Sequence, residues 1–260
     1  MSREVADRIA AGMVAAWRRR VRHVPGHVIR SVDGVIVCLS NLAEDLNAAL
    51  IVREPRDAVR ALSRAGRLFE AHAQPFGVEV EVGRHRAIDG AVRSLGLVVA
   101  VARPAMAIAV EDLAPPEPPR GVEIHRVSTS EEVAAVADLE VRVFETRRAV
   151  AERFIAPGML EVAGARLYLA RAHGEPVGFA WTSVHDGAVG VFGVATLPEH
   201  RRRGIGTAVT SFAIHDAPRL DLAWLQPTEA GRPLYGSMGF ARASDWEVWV
   251  RPEGGSDRGP

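Results

Sequence analysis

The chain has no lysine; all 32 of its cationic side chains are arginine. A nucleotide-binding P-loop needs Gly-Lys-Ser/Thr, so that class is excluded, and the protein's own side chains offer no lysine for acetylation. Cysteine is almost absent as well. Cys38 stands alone, which rules out an intramolecular disulfide, and no Cys/His spacing resembles a zinc or other metal site. Cys38 lies in the apolar run Val35–Leu39 and reads as a core residue. No apolar stretch is long enough to span a bilayer, because the longest, Leu95 to Val110, is broken by Arg103 and Pro104. Formal net charge is zero, so no overall basic field points to nucleic acid or an anionic membrane. The N-terminal segment carries Arg3, Glu4, Asp7 and Arg8 where a signal peptide needs an apolar region, which reads as a cytoplasmic protein. Only two tyrosines occur, Tyr168 and Tyr235.

The 260 residues, 48% hydrophobic and 25% charged, suit one large domain or two small ones. Residues 3–22 carry Val5, Ile9, Met13 and Trp17 at helical spacing, followed by a basic run that reads as a solvated helix end. Asp33-Gly34 is a turn signal. A strand at 49–52, a helix over 57–72, an alternating strand at 78–82, a helix over 87–94 and a strand at 98–102 follow. Ala114-Pro-Pro-Glu-Pro-Pro-Arg120 reads as a stiff connector and a domain boundary. The expected organisation is a first unit over 1–113, a linker over 114–120, a second unit over 121–251 and a disordered tail over 252–260. In the second unit, Ser128 is expected to cap a helix with Glu131 completing a capping box. A hairpin over 165–184, a strand at 220–225, a helix ending near Met238 and a strand at 247–250 complete it.

Residues 191–209 stand out. Val191 to Ala195 is a buried-strand run, Leu197 to Arg203 a turn ending in three arginines, and Gly204-Ile-Gly206-Thr opens a helix. A strand, a basic glycine-bearing turn and a helix N-terminus make a site for a phosphate chain. Free N–H groups and the positive end of the helix dipole point into the turn, and glycine permits close approach. Arg201-x-x-Gly204-x-Gly206, preceded by Val194-Ala-Thr-Leu-Pro-Glu and followed by Leu234-Tyr-Gly-Ser-Met-Gly-Phe240, resembles the ordered motifs of the GNAT superfamily of N-acetyltransferases. The likeness covers roughly residues 121–250.

That resemblance implies an α/β mixed-sheet GNAT fold and acetyl transfer from acetyl-CoA, with no metal, to the primary amine of a small molecule. Arg201, Arg202, Arg203, Gly204, Ile205, Gly206 and Thr207 would hold the pyrophosphate. The backbone of Val194, Ala195 and Thr196 would take the pantetheine arm and polarise the acetyl carbonyl. Tyr235 would be the general acid toward the departing thiolate. No base stands out; Glu145, His185, Asp186 and Glu229 are the titratable groups in plausible loops. Acetylation of protein N-termini or side chains, and a non-catalytic acyl-CoA-binding regulator, are the alternatives. A homodimer is compatible with the sequence; nucleic-acid and membrane partners are not expected.

The first half repeats the second in outline. Ser94-Leu95-Gly96-Leu97 aligns with Ser237-Met238-Gly239-Phe240, and the strand and helix at 49–52 and 57–72 take the places of 191–195 and 204–216. The intervening turn, Arg53-Glu-Pro-Arg56, has no glycine, and Val92 stands where Tyr235 stands. The first half therefore reads as a degenerate copy that keeps the scaffold without the pyrophosphate turn or the phenol.

Overall fold

The structure, a computed structural model, describes residues 2–217 and 219–252. The chain divides into two compact units, one comprising Met1–Val24 and Ala105–Ala243, the other Pro25–Pro104 and the chain from Ser244 on. The Pro-rich segment, where the sequence places the boundary, lies inside the first of these. Of the tail expected over 252–260, everything beyond Pro252 lies outside the described residues.

The helices are α1 (Arg3–Arg22), α2 (Ala58–Glu70), α3 (Arg86–Ser94), α4 (Ser130–Phe144), α5 (Arg148–Phe154), α6 (Ile205–His215) and α7 (Arg232–Ser237). The strands are β1 (Val28–Val32), β2 (Val35–Leu39), β3 (Ala48–Ile51), β4 (Gly77–Glu81), β5 (Val98–Ala109), β6 (Val122–Arg126), β7 (Ala165–Ala172), β8 (Glu175–His185), β9 (Ala188–Thr196), β10 (Leu222–Leu225) and β11 (Ala241–Val250). Two strands are longer than their sequence signals. β5 runs through Arg103 and Pro104, and β11 begins six residues before Glu247. The boundary between units falls within both, after Pro104 and after Ala243. Each half's last strand therefore ends in the other unit, an arrangement that a division at 113 does not anticipate.

In the α6-containing unit the strands run in the order β5-β10-β9-β8-β7-β6. The β9–β10 pair is parallel and the others are antiparallel. α6 covers one face: Val209, Ala213 and Ile214 pack with Val189, Val191, Ala223 and Leu225. Alternation turns Gly190 and Trp224 to the opposite face, where Gly12 of α1 meets the indole; a Cβ at Gly12 would lie 3.0 Å from Trp224 Nε1. α1 thus belongs to this unit. Its stripe of Ile9, Met13, Ala16 and Trp17 is buried, the Arg8 guanidinium donates to Asp221 and to the Asp186 carbonyl, and Arg19 donates to Ser183 and to the Ala163 carbonyl. The capping box at α4 is shifted by one residue from expectation. Thr129 is the N-cap and Glu132 its partner, because Glu132 also accepts from the Ser128 N–H at 2.9 Å and from His125 at 2.6 Å.

In the α2-containing unit the order is β1-β2-β3-β4-β11, with β3–β4 parallel and the rest antiparallel. Its core joins Val35, Val37 and Leu39 to Leu62, Ala65 and Phe69 of α2, Ile88 and Val92 of α3, and Trp249. Cys38 is buried on β2.

Candidate active site

β9 outruns its parallel neighbour. Pairing with β10 ends at Val191 opposite Leu225, while β9 continues to Thr196. β10 stops because Gln226 and then Pro227 follow, and proline has no N–H for a ladder. On its other side β9 stays bonded to β8, and the Leu197 N–H donates to the Val177 carbonyl. Alternation of the backbone then turns the polar groups of Thr196 and Val194 away from β8, toward the side where β10 has ended. Ala195 is buried between them. A bulge precedes this stretch: Phe179 pairs with Ala195, but Trp181 pairs with Phe192, so β9 carries one extra residue. Gly193 sits there at φ +57, and a Cβ at that position would lie 3.1 Å from Trp181 Cδ1.

The turn after β9 is arranged around two left-handed residues, Arg202 at φ +64 and Gly204 at φ +80. Gly204 is the N-cap of α6, and no side chain caps this helix. The first intrahelical bond runs from the Ala208 N–H to the Gly204 carbonyl. The N–H groups of Arg202, Arg203, Gly204, Ile205, Gly206 and Thr207 have no acceptor among the described residues. Six such donors on a turn and first helical turn are an arrangement suited to an anion. The side chains divide their work. Ile205 anchors the helix start in an apolar cluster with Ala170, Ala172 and Val177. Arg201 Nε donates to the Thr196 carbonyl at 3.1 Å, tying the turn to the end of β9. Arg202 and Arg203 are exposed. Gly206 admits a close approach between elements, since a Cβ there would meet Leu234 Cδ2 at 3.4 Å and Thr196 Oγ1 at 3.9 Å.

Tyr235 lies on α7, only 8% exposed, in the core cluster with Val191 and Leu225, and its ring meets Phe240 edge-on. Burial pushes the phenol up to about 12, against the pull of the neighbouring Thr210 hydroxyl. It stays protonated at any physiological pH, so its O–H is available to donate a hydrogen bond.

The four loop groups considered as bases separate. His185 and Asp186 flank the β8–β9 turn, at the opposite end of β9 and about 20 Å along the strand from Val194. They line a cavity of about 660 Å³ with Glu4, Asp7, Arg8 and Asp221, and the structure does not bring them to the open edge. Glu145 caps α4 in the left-handed region at φ +57 and follows Phe144, whose ring meets Phe179 opposite Ala195. Glu229 lies in the loop between β10 and α7.

Two features escape sequence reasoning. An aromatic group, Trp181 stacked on Phe192 at 4.4 Å and Phe192 edge-on to Trp224 at 5.3 Å, occupies the sheet face opposite α6 beside the bulge. Its members come from three strands and carry no common spacing. The Pro-rich segment is the second. It lies along α6, with the Ser211 hydroxyl donating to the Ala114 carbonyl at 2.7 Å and Pro119 beside Gly204. Among the described residues no cluster of three or more His, Cys, Asp or Glu side chains could hold a metal ion, and no helix is long and apolar enough to cross a membrane.

Comparison with known proteins agrees with this geometry. Residues 163–242 match the family model described as an acetyltransferase (GNAT) domain. Two curated relatives are named mycothiol acetyltransferase. The one from Thermobispora bispora is 32% identical over 159 residues, covering 52% of this chain and 50% of the relative. The one from Thermomonospora curvata is 36% identical over 84 residues, covering 30% and 28%. The matched stretches thus span half or less of the curated relatives. Among solved structures, a GCN5-related N-acetyltransferase from Kribbella flavida superposes with a TM-score of 0.76 at 24% identity, over 96% of each chain. A tandem GNAT protein from the clavulanic acid biosynthesis pathway superposes with a TM-score of 0.64 at 18% identity, over 98% and 96%. At these identities the likeness shows the fold.

Proposed function

We propose that this chain, which carries a domain of the GNAT acetyltransferase family, transfers an acetyl group from acetyl-CoA to the primary amine of a small molecule. The observation that carries this reading is the uncapped start of α6, with its six free N–H groups, set directly after a strand edge left open beyond Val191. The donor supplies an activated thioester. Its pyrophosphate fits the turn from Arg201 to Thr207, where N–H groups and the helix dipole favour negative charge and no side chain competes. The extended pantetheine arm suits the outward polar groups of Val194 and Thr196, as an added strand would. An N–H of this edge is the donor that stabilises negative charge developing on the acetyl oxygen as the amine attacks.

Tyr235 is assigned to the leaving side. A free thiol titrates near 8.5, so full proton transfer from a phenol held near 12 is uphill by several units. The role that fits is a hydrogen bond to the thiolate as the C–S bond breaks, the proton of the new thiol coming from the positively charged N–H of the tetrahedral adduct that forms when the neutral amine attacks. The earlier proton, which an ammonium substrate must lose before it can attack, goes to solvent, with Glu145 and Glu229 as the carboxylates at this end of the sheet. The name of the curated relatives refers to a thiol compound rather than to a protein, which favours a small acceptor over protein acetylation. A cytoplasmic setting, and no nucleic-acid or membrane partner, complete the proposal.

Thermal unfolding with and without acetyl-CoA tests the donor site. Ligand at about 100 times its Kd stabilises by about 2.7 kcal/mol, a shift of roughly 5–10 °C for a chain of this size. No shift at any concentration would remove the donor. With a shift established, CoA release in a panel of amines, monitored through the free thiol, tests transfer; no release above background with any amine would leave a binding protein.

A further inference from the structure

The Pro-rich segment has a fixed place rather than a linker's freedom. Leu113 is buried in the core that includes α6, the Ala114 carbonyl accepts from Ser211, and Pro119 stands beside Gly204, its Cγ 3.6 Å from where a Cβ there would lie. The chain then reverses. The Val122 N–H donates to the Pro119 carbonyl at 2.9 Å, and Gly121 takes φ +77, as the third residue of a type II turn must. Arg120 occupies the corner of that turn. It is exposed and has no hydrogen-bond or ion-pair partner among the described residues. An exposed arginine thus directly follows the proline that stands beside Gly204, the residue that opens α6. Proline limits the backbone freedom of the approach, so less ordering is required when a ligand binds.

Resting on the acyl-CoA reading above, we propose that Arg120 is a further donor-binding residue, which contacts a phosphate of the CoA moiety from outside the Arg201–Thr207 turn. The segment Ala114–Arg120 then acts as a wall of the donor site. Arginine suits this position because its planar fork meets phosphate oxygens in pairs. Either the pyrophosphate or the 3′-phosphate presents that chemistry.

Affinity measured by titration calorimetry on the full chain at low salt tests this, with CoA, 3′-dephospho-CoA and pantetheine as ligands. Arg120→Ala is expected to weaken CoA about 3- to 10-fold, the range for one partly screened phosphate contact. Arg120→Lys should recover part of the loss, and pantetheine, which has no phosphate, should bind the variant and the parent alike. A loss that disappears with 3′-dephospho-CoA assigns the contact to the 3′-phosphate; a loss that persists assigns it to the pyrophosphate. Ser211→Ala, which removes the bond that pins Ala114, should reproduce part of the effect with Arg120 intact. Arg30→Ala, at an exposed arginine on β1, controls for loss of net charge. CoA affinity unchanged within about twofold in Arg120→Ala, an equal loss for pantetheine, or an equal loss in Arg30→Ala would overturn the assignment alone. Failure of the parent protein to bind CoA would overturn the acyl-CoA reading together with it.

Discussion

The two units contain the same turn of structure, finished in opposite ways. In one, β3 leads into α2; in the other, β9 leads into α6. Both strands have an antiparallel neighbour on one side, β2 or β8, and a parallel one on the other, β4 or β10. At α2 the N-cap is Asp57, whose carboxylate accepts from the Arg60 N–H at 2.9 Å. No residue of that turn is left-handed among the described residues. At α6 the N-cap is Gly204, left-handed and without a capping side chain. An aspartate in the cap satisfies the helix start and places a negative charge where a phosphate would bind; a glycine leaves the donors open. One cap residue therefore separates a self-satisfied helix from one available to an anion.

The following helices extend the contrast. Behind α3, the N–H groups of Leu95, Gly96 and Leu97 donate to the carbonyls of Ala91, Arg93 and Val92, and the Ser94 hydroxyl donates to Ala91. Behind α7, Met238, Gly239 and Phe240 donate to Leu234, Gly236 and Tyr235, and the Ser237 hydroxyl donates to Leu234. The two endings share these four bonds. Val92 is fully buried at the place where Tyr235 presents a phenol. Scaffold geometry is kept in both units, and the polar groups suited to transfer occur in one.

The most direct way to break the comparison is to give α6 the cap of α2. Gly204→Asp is compatible with the left-handed backbone and should weaken acetyl-CoA at least about 100-fold, roughly 2.7 kcal/mol, through carboxylate–phosphate repulsion. Retention of parental affinity in calorimetry would show that the cap is not what distinguishes the units. Next in size, Tyr235→Phe should lower kcat at least about tenfold, roughly 1.4 kcal/mol, while the Kd for acetyl-CoA barely moves. With a phenol near 12, the parent's kcat should also show no fall attributable to Tyr235 below about pH 11. A fall near pH 9 that vanishes in the Phe variant would contradict the assigned burial.

Smaller effects concern stability. Asp57→Ala removes a cap in the α2 unit and should cost about 1 kcal/mol in chemical denaturation without altering donor affinity; a change in affinity would mean that the α2 turn takes part in binding. The last case concerns Glu132, in the β6–α4–α5 portion that has no counterpart beside β1. Bonds from the Ser128 N–H, then from His125 and the Thr129 N–H, lower its carboxyl to about 2, with burial acting against them. A depressed carboxyl contributes stability that is fully present above its unfolded value, near 4.5, and lost as pH falls toward 2. Discounted for solvent screening, that amounts to about 1 kcal/mol or less. Glu132→Gln should therefore be less stable than the parent at pH 7, with the gap closing between about pH 4.5 and 2. A gap independent of pH would assign the loss to packing.

Much of the site is legible in the chain because it is local. Gly-x-Gly after three arginines states a left-handed cap and an open helix start, since only the backbone within a few residues is involved, and α6 begins where that pattern places it. The Ser-x-Gly endings of α3 and α7 are legible for the same reason. The aromatic group at Trp181, Phe192 and Trp224 is not, because its rings come from three strands whose register no local pattern records. The sequence offers His185 and Asp186 as loop residues; only the direction of β9 places them at its far end.

By itself, then, the sequence determined the types of the main elements and the place where α6 begins after its glycine-bearing turn, which depend on short-range backbone preference and hydrophobic period. Tertiary structure alone decided that α1 joins the α6 unit, that β5 and β11 each end in the unit opposite to the one their order suggests, and that Ala114–Arg120 lies along a helix. The physical reason is that an apolar strand or a polyproline segment specifies what it must bury, and any complementary edge or groove within reach of the chain can satisfy it. Which one does so is a property of the assembled core.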